Sequence, residues 1–284
     1  MELQTKLSFS LIFEQSSNFL CNRIKPITLV CLVLTVINKI LTGTISIDQE
    51  AIKNLYLGHI NSTISLIVMF TLMIGIIIKA ISIAMISNLY TSDRLNLNLL
   101  LSKALSNLLN IILFYLFIFV ILLFAILIVS MGIFILKMLL PTAILSILMI
   151  LIVFFSIIFI AIFSNFFFGL LVNPNNRSFM ELINLSLTLS KQHWKPALLM
   201  LLTFLAFELI LAGFGLLFGA VEVAIENLIN SHIVSILIDI MLFFFAIMLD
   251  TFIVIFFYRL YSLATGIASP KVPPKNDENN KLIV

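Results

Sequence analysis

Long apolar runs divided by short polar segments dominate the chain from end to end. A helix needs about 20 mostly apolar residues to cross roughly 30 Å of hydrocarbon. Six stretches meet that requirement, at approximately residues 26–42, 64–88, 110–130, 141–165, 196–219 and 233–258. The runs are continuous and lack the apolar–polar alternation of a transmembrane barrel strand, so they predict helices, which satisfy their own backbone N–H and C=O groups in lipid. The end of the fourth span is open. Asn165 is followed by a further apolar run, Phe166 to Val172, so the span either continues as a long tilted helix or stops in an interfacial turn.

The polar segments before the first, third and fifth spans have a helical period of their own. In the first, Phe9, Ile12, Phe13 and Leu20 oppose Lys6, Ser10, Glu14 and Ser17. In the second, Leu97, Leu101, Ala104, Leu105 and Leu108 oppose Asn96, Lys103, Asn107 and Asn110. In the third, Phe179, Met180, Ile183, Leu187 and Trp194 oppose Glu181, Asn184, Thr188, Lys191 and Gln192. Such a division of faces predicts an amphipathic helix lying on a membrane surface. The pattern reads as an all-α fold of six spans in three hairpins, each preceded by an interfacial helix, with units starting near residues 1, 91 and 177. Residue identity supports a repeat only weakly: Lys25-Pro26 opens the first span and Lys195-Pro196 the fifth, with no counterpart in the middle unit.

Composition agrees with the pattern. Of 284 residues, 62% are hydrophobic and 10% charged, against about 25% charged in a soluble domain; a water-facing surface cannot be built from so few. From Leu108 to Val172 the one charged residue is Lys137. The net charge of +3 is too small to imply nucleic acid, and the expected partner is membrane lipid. The first apolar stretch begins at Ile27, behind a mixed segment containing Glu2 and Glu14, and no small-x-small cleavage site follows it, so it is expected to stay as a span. Residues 1–268 form one transmembrane domain on this reading, and the polar, Pro-rich segment 269–284 is expected to be a disordered tail.

The distribution of Lys and Arg sets the expected orientation. Lys6, Arg23, Lys25, Arg94, Lys103, Arg177, Lys191, Lys195, Arg259, Lys271, Lys275 and Lys281 fall on one side of the six spans. Lys39, Lys53 and Lys137 fall on the other. Positive residues concentrate in cytoplasmic segments, so both termini are expected inside. Trp194, Tyr258 and Tyr261 stand beside the basic residues, as expected of an aromatic belt at that surface. Cys21 and Cys31 are expected to be inert free thiols on or near the reducing side.

The segments SSNFLCNRIKPITLV, RSFMELINLSLTLSKQHWKPALL and FFYRLYSL, in this order around three hydrophobic hairpins, resemble the YciC-like family of bacterial inner-membrane proteins. The likeness covers roughly residues 10–265. It implies a six-span architecture and a bacterial inner-membrane location, and it carries no activity, substrate or catalytic residues.

No HExxH, CxxC, GxGxxG, P-loop or GxSxG pattern occurs, and His59, His193 and His232 are single and far apart. No catalytic, cofactor or metal site is therefore expected. Asn61-Ser62-Thr63 matches a glycosylation acceptor but reads as an ordinary loop or helix start. The informative residues are ionisable groups within spans: Lys79, Glu208 and Asp250, in the second, fifth and sixth. Each costs about 2.5–3.5 kcal/mol on the insertion scale at a span centre. From the 1.5 Å rise they lie roughly 16, 18 and 13 Å from the basic ends of their helices, which predicts one polar cluster. Asp239 is close enough to the opposite surface to reach headgroups and is expected to need no partner. The cluster reads either as a structural Lys–acid pair or as a site for an ion, proton or lipid headgroup. The function expected is that of a non-enzymatic inner-membrane protein of envelope organisation or maintenance, or alternatively a small carrier or lipid-handling protein using these charges.

On a background lacking Cys21 and Cys31, Thr44→Cys, Gly132→Cys and Asn230→Cys should react with an impermeant maleimide added outside the cell. Arg94→Cys and Asn175→Cys should react only after permeabilisation; their labelling in intact cells would contradict the orientation.

Overall fold

The computed structural model describes residues 8–43, 62–92, 94–136, 141–174, 177–229 and 233–266. Among these residues eight helices follow one another: α1 (Phe9–Asn22), α2 (Ile24–Gly43), α3 (Ser62–Thr91), α4 (Leu97–Leu136), α5 (Thr142–Leu171), α6 (Phe179–Gln192), α7 (Trp194–Ile229) and α8 (Ile233–Ala264). Six contain a stretch long and apolar enough to cross a membrane: Ile24–Thr42, Val68–Thr91, Leu97–Ile133, Ile144–Leu171, Trp194–Leu217 and Ile236–Ala264. The chain is a multi-pass membrane protein. The expected tail 269–284 and the expectations for Lys6, Lys53, His59, Asn61, Lys137, His232, Lys271, Lys275 and Lys281 lie outside the described residues, as do positions 44 and 230.

Local sequence explains where the helices begin and break. Ser8, Asn96 and Ser178 each precede a helix and cap it: the Ser8 hydroxyl accepts from Leu11 N at 3.4 Å, and the Asn96 side-chain oxygen from Asn98 N at 3.1 Å and Leu99 N at 3.3 Å. Ser178 forms a reciprocal capping box with Glu181, its own N–H donating to Glu181 Oε2 at 2.9 Å. Pro26 and Pro196 each lie four residues beyond the last residue of a preceding helix, Asn22 of α1 and Gln192 of α6. A proline ring clashes with the carbonyl four residues back; the chain therefore turns at Arg23 (φ −121°, ψ 24°) and His193 (φ −118°, ψ 31°) before restarting.

Counting the same 18 residues from Asn96 that separate Ser8 from Pro26 and Ser178 from Pro196 leads to Phe114, which cannot break a helix. α4 accordingly runs unbroken for 40 residues, about 60 Å at 1.5 Å per residue. The separate interfacial helix expected before the third span is thus a correction: it is the first part of the span helix itself. The fourth span shows no turn at Asn165. α5 continues through it to Leu171, with the Asn165 amide donating to Ala161 O at 2.9 Å.

The three cap positions also share a burial register. Ile12, Leu100 and Leu182, then Ser16, Ala104 and Ser186, then Phe19, Asn107 and Leu189 stand at equal distances from their caps and are all buried. α1 packs on α8, the start of α4 on α3, and α6 on α5, so each first segment rests on the second span of the unit before it, and α1 closes the circle. Small residues at the middle position permit the close approach. The apolar faces of α1 and α6 are turned to the bundle, which differs from a helix that gives its whole apolar face to lipid: Met180 and Trp194 are exposed, while Leu182 and Leu189 are buried. Asn107, placed on the polar face by its spacing, is buried against the bundle, while Leu101 and Leu105 remain exposed. A hydrophobic stripe records burial, not whether lipid or protein covers it.

The tightest packing lies at the basic end of the bundle, where the last turns of α3, α5 and α8 meet. Ile83–Ile86, Phe166–Phe168 and Ile253–Tyr258 are almost wholly buried there. A Cβ built on Gly169 of α5 would lie 2.8 Å from Phe257 C and 2.9 Å from Tyr258 N of α8, so only glycine permits this crossing. Tyr258 and Tyr261 belong to this core and not to an exposed belt, since Tyr90 packs edge-on against Tyr258 at 4.5 Å and Arg177 donates to the Tyr261 hydroxyl at 2.7 Å.

Gly169→Ala should destabilise the protein by about 1–3 kcal/mol through overpacking, whereas Gly213→Ala, with nothing within 4 Å of the added carbon, should not. Unfolding of the two variants in mixed micelles, followed by circular dichroism, compares them; equal stability would contradict the close crossing.

Candidate functional site

A charge within a span has two ways to lower its cost: it can reach a headgroup or it can meet an opposite charge inside the protein. Lys79 takes the second. Its ammonium lies 2.6 Å from Asp250 Oδ1, a pair that joins α3 to α8. The aromatic face of Phe168 on α5 covers the ammonium, with 4.7 Å between Nζ and the ring centroid. The side chain of Lys79 is 10% exposed and that of Asp250 39%, because the carboxylate looks into a cavity.

That cavity has a volume of about 910 Å3 and lies between α3, α4, α5 and α8. Lys79, Asp250, Asn165 and Tyr115 supply the polar groups of one end, Thr71 adds a hydroxyl farther along, and Met69, Leu72, Ile76, Leu116 and Phe119 form much of the rest. Met69 precedes Lys79 by ten residues on α3, so the apolar wall extends about 15 Å from the ion pair, away from the basic end. The arrangement is chemically amphiphilic: a paired charge with an amide and a phenol at one end, and an apolar channel leading from it.

Glu208 does not join this group. It lines a second cavity, of about 460 Å3, together with Thr35, Asn38, Lys39 and Thr42 of α2 and Asp239 of α8. Lys79, Glu208 and Asp250 lie at similar depths along their helices, but depth is a single coordinate. α7 packs on α8, α5, α6 and α1, and this neighbourhood directs Glu208 to the cavity beside α2. Asp239, expected to rely on headgroups alone, instead receives Lys39 Nζ at 2.5 Å. Asn165 and Tyr115 were missed as cavity residues, although a lone amide within an apolar run was itself a marker.

Cys21 is exposed and Cys31 buried, and both are free thiols. Cys31 Sγ lies 3.8 Å from Thr251 Oγ1, next to Asp250 in sequence. His193, at the joint between α6 and α7, is held below its ordinary pKa by burial. Among the described residues no group of three or more His, Cys, Asp or Glu is placed to hold a metal ion. At the basic end Arg23 Nε donates to Leu89 O at 2.8 Å and its guanidinium lies over Phe19, while Arg259 lies over Tyr90. These contacts occupy the Leu89 carbonyl and the Tyr90 ring at the end of α3 and the Phe19 ring of α1. No family model, curated protein or solved structure matches the chain.

If the Lys79–Asp250 pair holds α3 to α8, Lys79→Met should cost up to about 3–5 kcal/mol by stranding the carboxylate, and Lys79→Met with Asp250→Leu should recover most of it. Denaturant unfolding of the variants measures this; a double variant as unstable as the single one would contradict the pairing.

Proposed function

We propose that the protein is a non-enzymatic, lipid-handling membrane protein, which holds an amphiphile in the cavity beside Lys79 and Asp250 and so serves envelope organisation or maintenance. The single observation that carries the reading is the union of a paired charge with a long apolar channel in one cavity. Its 910 Å3 falls within the roughly 300–1,000 Å3 of small-molecule sites. A lipid headgroup would meet Lys79, Asp250 and the Asn165 amide, while an acyl chain follows Leu72, Leu116 and Phe119. A reaction has no residues assigned to it on this reading: the polar wall contains groups that bind and orient, without a nucleophile activated by a base.

The same reading puts the basic end of the bundle, with both termini, on the cytoplasmic side. Support comes from the bias of Lys and Arg and from the Arg23, Arg177 and Arg259 contacts gathered at that end. α1, α6 and the start of α4 then form an inner-surface layer, one for each hairpin. A bacterial inner membrane is the location proposed, on the resemblance of the three sequence segments to the YciC-like family. A purely structural role for the ion pair is the second reading, favoured by the small exposure of Lys79.

Gly75 separates the two. It lines the cavity, and a Cβ added there meets nothing within 4 Å, so Gly75→Leu should fill the channel without disturbing the pair. Native mass spectrometry of protein released from nanodiscs should show one more retained phospholipid per chain in the wild type than in Gly75→Leu at equal thermal stability. Equal retention by both would reject the lipid-handling reading.

A further inference from the structure

The cavity that contains Glu208 lies between α2, α7 and α8, about 16 Å farther along α8 than the Lys79–Asp250 pair, and is built differently. Its described lining carries one ammonium, Lys39, and two carboxylates, Asp239 and Glu208, from three helices. Lys39 and Asp239 are already in contact at 2.5 Å near the mouth, where both side chains are partly exposed. The lining thus carries one more carboxylate than ammonium, which favours a cationic occupant. Glu208 lies 12 residues beyond Pro196 on α7 and Lys39 13 residues beyond Pro26 on α2, about 18–20 Å from the basic ends of their helices. In a core of roughly 30 Å this leaves them about 10 Å below the opposite surface, within reach of a headgroup drawn slightly inward.

The hydroxyls specify the cation further. Thr35 donates its O–H to Cys31 O at 2.8 Å and Thr42 to Asn38 O at 2.8 Å. Thr35 is wholly buried, but the partly exposed Thr42 oxygen, its proton committed to its own helix, can only accept from an occupant. Glu208 and Thr42 thus offer acceptors to a group that has several N–H donors and no acceptor of its own, the description of a primary ammonium. A quaternary ammonium has no N–H to give and is recognised instead by a cage of aromatic faces; the described lining offers the single ring of Phe243. A hard metal ion takes six or more oxygens at short range, a denser set than this open, partly apolar wall supplies. Lys39, with three donors and one committed to Asp239, can also donate to an anionic oxygen next to the ammonium.

We propose that this cavity is a second lipid site, selective for a phospholipid with a primary-amine headgroup. The ammonium is held by Glu208 and the Thr42 oxygen, the phosphodiester by Lys39, and the acyl chains pass over Leu242 and Phe243 toward the surrounding lipid. The site is independent of the Lys79 cavity, and the proposal stands or falls separately from the reading of that one.

The test uses the full chain carrying Gly75→Leu, so that retained lipid reports the Glu208 cavity. Native mass spectrometry with matched phosphatidylethanolamine, phosphatidylglycerol and phosphatidylcholine should show the first retained about tenfold or more over the other two, the scale of a lost charge-assisted hydrogen bond. Glu208→Gln, nearly isosteric, should abolish the preference with thermal unfolding unchanged. Equal retention of the three lipids by the unsubstituted cavity would overturn the proposal without any need for the variant. So would a preference that survives Glu208→Gln, or binding of soluble glycerophosphoethanolamine as tight as that of the whole lipid, which would identify a free amine as the ligand.

Discussion

Hydrocarbon offers no partner to an N–H, a C=O or a charge, so whatever polar group enters a span must be satisfied by the protein itself or by an amphiphile that comes with it. The backbone meets this condition by forming helices that are unbroken across each apolar run. The side chains meet it by pairing across helices: Lys79 with Asp250 between α3 and α8, and Lys39 with Asp239 between α2 and α8. α8 is a partner in both pairs. It also receives α1, α2, α5 and α7 along its length, and the glycine crossing at Gly169 fixes its distance from α5. The two cavities lie at different heights along this one helix, each with an ion pair in its wall.

Packing is unevenly distributed along the bundle for a related reason. At the basic end, aromatic and β-branched side chains from α3, α5 and α8 interlock, and α1, α6 and the start of α4 close around them. Farther along, α4 and α5 expose Phe119, Phe124, Ile128, Ile150, Phe154 and many similar residues. Lipid can cover such surface at no cost, because acyl chains are as apolar as the side chains themselves. One end is therefore built as a protein core, and the rest as a wall that bilayer completes.

The one-dimensional properties of the fold were legible in the sequence. Hydropathy located six spans, and proline at positions 26 and 196 marked where short helices stop. Properties that depend on azimuth were not. Leu101 and Ile183 have similar sequence contexts on amphipathic segments, yet one is exposed and the other is buried against the bundle. Glu208 matched Lys79 in depth but faces another cavity, because which helices are neighbours is decided by the packing of all of them together. The continuity of α4 follows from Phe114 at the place where the other two units have proline. It becomes visible only once the caps Ser8, Asn96 and Ser178 put the three units in register.

The account rests on the Lys79 cavity being a lipid site and not a gap that closes in the membrane. A density map of the unsubstituted protein in nanodiscs of native lipid tests this most directly. The account predicts elongated density running from the Lys79–Asp250 pair along Leu72, Leu116 and Phe119, with its broader end at the charges. A map in which α3 and α4 close together and fill that space with side chains would contradict it.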